Sequence, residues 1–139
     1  MLGKRALIVT YPDIQRIGLL DRVKKILGES GIEFLLFDEV EPNPCSSTVD
    51  RGARILAEEK PDLVIGLGGG SAMDTAKAIT LAGTDGKPIW YYAGNRITVT
   101  GSVPAIIQVP TIAGTGAEVN AGAVTVSYTH LTLPTNREV

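Results

Sequence analysis

The sequence predicts an α/β fold with a doubly wound, mostly parallel sheet, and three observations carry that expectation. Apolar runs of strand length, Ala6–Val9, Phe34–Phe37 and Leu63–Leu67, recur at about the spacing of a βαβ unit, which takes roughly 30 residues. A fourth run follows at Ala105–Val109. Apolar residues at helical intervals fill the gaps between the first three runs, and glycine-rich turns follow the third and fourth. Strands that are apolar on both faces belong in a sheet covered on both sides. Right-handed crossovers follow from that arrangement. The order of the strands is left open.

Each element has its own signal. After the first strand, Ile14, Ile17, Leu20, Val23 and Leu27 mark one helical face, and Gly31 closes it as a C′ residue. After the second, Val49, Ala53 and Leu56 mark another, with Ser47 or Thr48 as N-cap and Pro61 as a stop. The third helix is expected from Ser71 to about Ala82, with Ala72, Ala76 and Ile79 inward. Thr84 to Pro104 reads as irregular. Its Trp90, Tyr91, Tyr92, Asn95 and Thr98 line a substrate or subunit surface or, on the plainer reading, pack under a long loop.

A chain of 139 residues is one domain's worth and buries a real core. Its 44% hydrophobic and 20% charged residues are ordinary for a globular protein. A net charge of −2 gives no reason to expect nucleic acid or an anionic membrane as partner. No apolar segment has the length of a signal peptide or a membrane span. The single cysteine, Cys45, forms no internal disulfide, so a reducing cytoplasm is the expected location. Beside prolines it reads as an incidental loop residue.

The chemistry concentrates in Gly66-Leu67-Gly68-Gly69-Gly70-Ser71-Ala72-Met73-Asp74-Thr75-Ala76-Lys77. Glycines let backbone N–H groups approach a ligand closely. A helix N-terminus adds orphan donors and the positive end of its dipole, and together they make a phosphate seat. Ser71 and Asp74 also spell a capping box, so both could simply satisfy the first helical N–H groups. Lys77 is placed to pair with Asp74 along the helix or to reach a ligand. The stretch is not a Walker A loop, and a dinucleotide fingerprint normally follows the first strand, not the third.

Two further segments end strands on the same sheet edge. Asp38 follows the second strand, where a carboxylate accepts hydrogen bonds from ribose hydroxyls and repels the 2′-phosphate of NADP, unless it is only a solvated turn residue. Pro110-Thr111-Ile112-Ala113-Gly114-Thr115-Gly116-Ala117-Glu118-Val119 follows the fourth. Its hydroxyls and amides suit a nucleotide's sugar and phosphates, or form a mere turn.

Gly68-Gly69-Gly70-Ser71-x-x-Asp74-x-x-Lys77, the Pro110–Val119 segment and Pro42-Asn43-Pro44 resemble the N-terminal domain of the iron-containing (group III) alcohol dehydrogenases. The resemblance covers about residues 4 to 126. It implies a Rossmann-like dinucleotide-binding domain over residues 1–126, followed in the family by a helical domain that binds a divalent metal, iron above all. It implies that Gly69, Gly70 and Ser71 hold the pyrophosphate, that Asp38 favours NAD over NADP, and that Thr111 and Thr115 flank adenosine and phosphates. With Gly68 and Asp74 these make up the expected cofactor-binding set; no catalytic residue or metal ligand is expected in this stretch. Ile112 and Ala117 depart from the family's usual Thr and Ser.

The family's metal ligands, one Asp and three His, come from its helical domain. The only histidine, His130, cannot assemble such a site alone. Residues 127–139 cease to match and read as a non-native or disordered tail. By resemblance the reaction is hydride transfer between a small alcohol or aldehyde and NAD(H), with this stretch inactive by itself and the whole enzyme a possible homo-oligomer. The alternatives are a polyol dehydrogenase or dehydroquinate-synthase-like enzyme, and a non-catalytic nucleotide-binding module.

Overall fold

The computed structural model describes residues 3–93, 98–127 and 135–138. Asn95 and His130 fall outside them. Four parallel strands form the main sheet: β1 (Arg5–Val9), β2 (Glu33–Phe37), β3 (Leu63–Gly68) and β4 (Ala105–Pro110), in the order β2-β1-β3-β4. All six residues of β3, and all of β1 but its first, are buried. These are the centre of the sheet, and their unbroken apolar character reflects cover on both faces. The edge strands β2 and β4 are more exposed.

The helices are α1 (Leu19–Glu29), α2 (Ser46–Glu59) and α3 (Gly70–Asp85). Alternation along the strands splits the core in two. Ala6, Ile8, Leu63, Ile65 and Leu67 pack with Leu20 and Leu27 of α1. Leu7, Val9 and Val64 pack with Val49, Ala53 and Leu56 of α2 and with Ala72, Ala76 and Ile79 of α3. One helix on one face and two on the other is the doubly wound arrangement that the sequence predicts.

Local chemistry sets the ends, and three differ from expectation. The first helical segment is two pieces: a 3-10 turn over Pro12–Ile17, then α1. Gly18 stands between them at φ +70, a left-handed value that breaks the helix, and Ile17 is exposed instead of inward. At the far end Gly31 takes C′ as expected: its N–H bonds Gly28 O at 3.1 Å, and Ile32 N–H bonds Leu27 O at 2.9 Å.

The second difference is the cap of α2, which is Cys45, not Ser47 or Thr48. A carboxylate from upstream organises that turn, because Glu41 Oε1 accepts both Cys45 N–H and Thr48 Oγ1–H at 2.7 Å. The helix stops at Lys60, just before Pro61. The third is α3, which starts at Gly70, one residue early, and runs to Asp85, with Gly69 as N-cap.

In the irregular segment, Ile89–Tyr92 forms a 3-10 turn whose Ile89 and Tyr92 are buried. Ile89 N–H bonds Asp50 Oδ1 and the Tyr92 hydroxyl bonds Asp85 Oδ2, each at 2.8 Å. Finally, β5 (Val124–Ser127) pairs antiparallel with β6 (Thr135–Glu138). The pair runs across the expected boundary at residue 126.

Candidate functional site

Register brings all four strand ends to one edge: Val9 faces Phe37 and Gly66, and Gly68 faces Pro110. In the order β2-β1-β3-β4 the chain turns one way after β1 and the other way after β3. Ligands of open α/β sheets bind in the crevice at such a switch point. Asp38, Gly68 to Ser71 and Thr111 to Thr115 therefore share one edge. Asp38 lies two strand spacings from β3, about 10 Å.

The turn from β3 into α3 is built on Gly68. Its φ of +146 is closed to residues with a side chain, and a Cβ there would stand 2.9 Å from both Ala72 Cβ and the Tyr11 ring. Its carbonyl accepts Thr111 N–H at 2.9 Å, which fastens the second glycine-rich segment beside the first. Gly68 is thus a turn and packing residue. Gly69 is different: φ is −85, and a Cβ would meet only Ile112 Cδ1 at 3.6 Å, an ordinary contact. Nothing in the fold itself asks for glycine at that position.

No side chain caps α3. Met73 N–H bonds Gly69 O at 3.1 Å. The N–H groups of Gly70, Ser71 and Ala72 have no partner within the helix and carry its positive end. Beside them opens a cavity of ≈ 580 Å³, lined by Gly70, Ser71, Thr115 and Asn120, with Asn43 and Pro44 among its other lining residues. An open helix N-terminus, a glycine that packing does not require, and a cleft of this size fit a dinucleotide's diphosphate.

The capping box does not form. Asp74 turns away from the first turn: Oδ1 pairs with Lys77 Nζ at 3.1 Å and Oδ2 accepts Val124 N–H at 3.2 Å. Lys77 also donates to Ala117 O and Asn120 Oδ1, both at 3.0 Å, and to Gly122 O. Ser71 remains at the cavity, while its carbonyl accepts Thr75 Oγ1–H. Thr115 is exposed, lies against Gly70 and takes Ala117 N–H on Oγ1 at 3.4 Å. Ile112, in the usual place of a Thr, is 63% exposed beside Gly69.

Sequence reasoning missed Tyr11, packed over Gly68, and Gln108, whose Nε2 bonds Met73 O at 3.0 Å and ties β4 to α3. A tyrosine two residues past the end of β1 was the available signal for the first. A lone polar residue inside an apolar strand was the signal for the second. Burial, then the Glu41 charge and hydrogen bond, push the Cys45 thiol up from the usual range, which favours the thiol over the thiolate.

Among the described residues no three His, Cys, Asp or Glu side chains are grouped to hold a metal ion, so the expected iron has no fitting donor set here. No helix among them is long and apolar enough to cross a membrane.

A family model, Iron-containing alcohol dehydrogenase, matches residues 1–135. Alcohol dehydrogenase 4 of Saccharomyces cerevisiae is 42% identical over 115 residues, which is 83% of this chain and 30% of that protein. The chain thus spans less than a third of its relative's length. The crystal structure of a 1,3-propanediol oxidoreductase superposes with a TM-score of 0.86 at 35% identity, over 98% of this chain and 35% of the other. Sulfoacetaldehyde reductase of Bifidobacterium kashiwanohense, solved in complex with NAD+, gives 0.82 at 28% identity, over 99% and 35%.

Proposed function

The chain belongs to the iron-containing alcohol dehydrogenase family, and we propose that residues 1–126 supply the NAD(H)-binding part of such an enzyme. The observation that carries the proposal is the uncapped N-terminus of α3 at the sheet's switch point, opening on a cavity beside Gly70 and Ser71. Backbone N–H groups at Gly69, Gly70 and Ser71 would hold the diphosphate, with no competing side chain to displace. Gly68 makes the turn. Thr115 lines the cavity opposite Gly70, Thr111, tied to Gly68 O through its N–H, would flank the adenosine, and Asp38, on the β2 side, would accept the ribose hydroxyls and disfavour NADP.

NAD(H), when bound, supplies the hydride acceptor or donor; the protein supplies binding, orientation and charge. The relatives' names point to small alcohols and aldehydes as substrates, and we extend that class to the enzyme containing this stretch. Residues 1–139 by themselves would bind cofactor without turnover, because no described group is placed to stabilise an alkoxide. Residues 127–139 lie outside the functional domain in this reading. A cytoplasmic location and a homo-oligomeric whole enzyme complete it.

Calorimetry on the full chain with NAD, NADP and ADP tests the reading. NAD is expected to bind tighter than NADP, and ADP to keep part of NAD's affinity. No heat from any of the three would overturn it.

A further inference from the structure

Lys77 sits two turns into α3 with a side chain only 14% exposed. Its Nζ faces five oxygens: Asp74 Oδ1 at 3.1 Å, Ala117 O and Asn120 Oδ1 at 3.0 Å, Asn120 O at 3.3 Å, and Gly122 O. An ammonium has three protons, so the protein's own acceptors outnumber them. Four of the five belong to residues 117–122, and three of those four are backbone carbonyls.

That segment has little else to fix it. Glu118, Val119 and Asn120 are exposed, Val119 to 85%, and Ala117 is its only buried side chain. Its internal bonds are local: Val119 N–H to Gly116 O at 3.1 Å, Asn120 Nδ2–H to Gly116 O at 3.2 Å, Gly122 N–H to Asn120 Oδ1 at 3.1 Å. Asp74 completes the attachment by accepting Val124 N–H with the oxygen that Lys77 leaves free. Upstream, Ala117 N–H holds Thr115 Oγ1, and Thr115 Cγ2 lies 3.3 Å from where a Gly70 Cβ would be.

We propose that Lys77 is a positioning residue: with Asp74 it folds residues 116–122 around its ammonium and so seats Thr115 over the first turn of α3. It acts on the nucleotide through that loop and not by contact. The inference rests on reading the cavity beside Gly70 and Ser71 as the NAD site. It separates two roles that a lysine near a phosphate seat could play, because a contacting lysine needs a proton free for the ligand.

The test uses the full chain, wild type and K77M, with amide hydrogen exchange of residues 116–124 in the absence of nucleotide and calorimetry with NAD. Exchange in that segment is expected to rise at least tenfold in K77M while the α3 amides beyond the first turn stay protected, and the Kd for NAD to rise about tenfold. Unchanged loop exchange in nucleotide-free K77M overturns the proposal even if NAD binding weakens, since that pattern belongs to direct contact. So does an unchanged Kd beside a loosened loop. If K77M does not fold, N120A, which removes Oδ1 and leaves Lys77 in place, decides by the same two measurements. Wild type that fails to bind NAD overturns the cofactor reading instead, and loop exchange then still judges whether Lys77 folds the loop.

Discussion

Gly68 and Gly69 are adjacent and chemically identical, yet a side chain would clash at the first and not at the second, so under the proposed function the pair of alanine variants divides fold from ligand. At Gly69 the backbone is extended (φ −85, ψ −166) and a new methyl meets only Ile112 Cδ1 at 3.6 Å. Alanine is a poorer N-cap than glycine by up to about 1 kcal/mol, and the stiffer unfolded chain returns roughly 0.4–1 kcal/mol. The net change is within about 1 kcal/mol, a few degrees in Tm. The same methyl would stand beside the N–H groups that we propose hold a diphosphate. One lost hydrogen bond to a charged group costs about 1.5–3 kcal/mol, or roughly 10- to 150-fold in Kd.

Gly68→Ala is the reverse case. Its φ of +146 excludes a side chain, and the methyl would press on Ala72 Cβ and the Tyr11 ring at 2.9 Å. Backbone strain of about 1–3 kcal/mol and overpacking of similar size make it strongly destabilising. The assays are thermal unfolding by circular dichroism and calorimetry with NAD. A G69A protein that binds NAD within twofold of wild type, or that loses more than about 10 °C in Tm while G68A loses none, would refute the reasoning.

Other perturbations test the remaining charges. Asp38→Asn is expected to raise NADP affinity roughly fivefold or more while changing NAD little, since a carboxylate near a 2′-phosphate costs about 1–4 kcal/mol between effective dielectrics of 80 and 20; titration with both cofactors measures the ratio. Burial, and then the hydrogen bond to Asp85, push the Tyr92 hydroxyl up from its ordinary range near 10. The unfolded chain therefore loses that proton from about pH 10 while the folded one keeps it, so stability falls as pH rises above 10, by up to about 1.4 kcal/mol per pH unit. Urea midpoints at pH 8 and pH 11 should show the fall in wild type and a flatter profile in Y92F.

The parts of this fold that the sequence makes legible are those whose physics is local. Apolar runs of four or five residues locate β1 to β4 to within one residue at each end, because an apolar run of strand length between turn residues is written in its own composition, in the buried β1 and β3 and in the more exposed edge strands alike. Gly31 marks its C′ position for the same reason. The break at Gly18 is invisible in the apolar spacing because Ile14, Ile17 and Leu20 keep helical intervals whether or not the helix is continuous; the left-handed Gly18 and the exposure of Ile17 reveal the change. The cap of α2 is hidden in Glu41, whose letter gives no sign that it folds forward onto Cys45 and Thr48.

The candidate site was legible as a set of strand ends and illegible as a set of contacts. Ser71-x-x-Asp74 spells a cap, but Asp74 bonds a backbone N–H 50 residues away and a lysine one turn on. Four of the five acceptors around Lys77 lie 40 to 45 residues downstream and three of them are backbone carbonyls, which every residue has and no letter records. Strand order was equally unwritten, and it resolves the oddest feature of the sequence. A phosphate-type turn normally follows the first strand; here it follows the third. In the order β2-β1-β3-β4 the ends of β1 and β3 are neighbours across the switch point, so a turn after either one faces the same crevice. The turn after β1 places Tyr11 against Gly68. With that aromatic ring packed on Gly68, the uncapped amides beside the crevice are those at the start of α3, after β3.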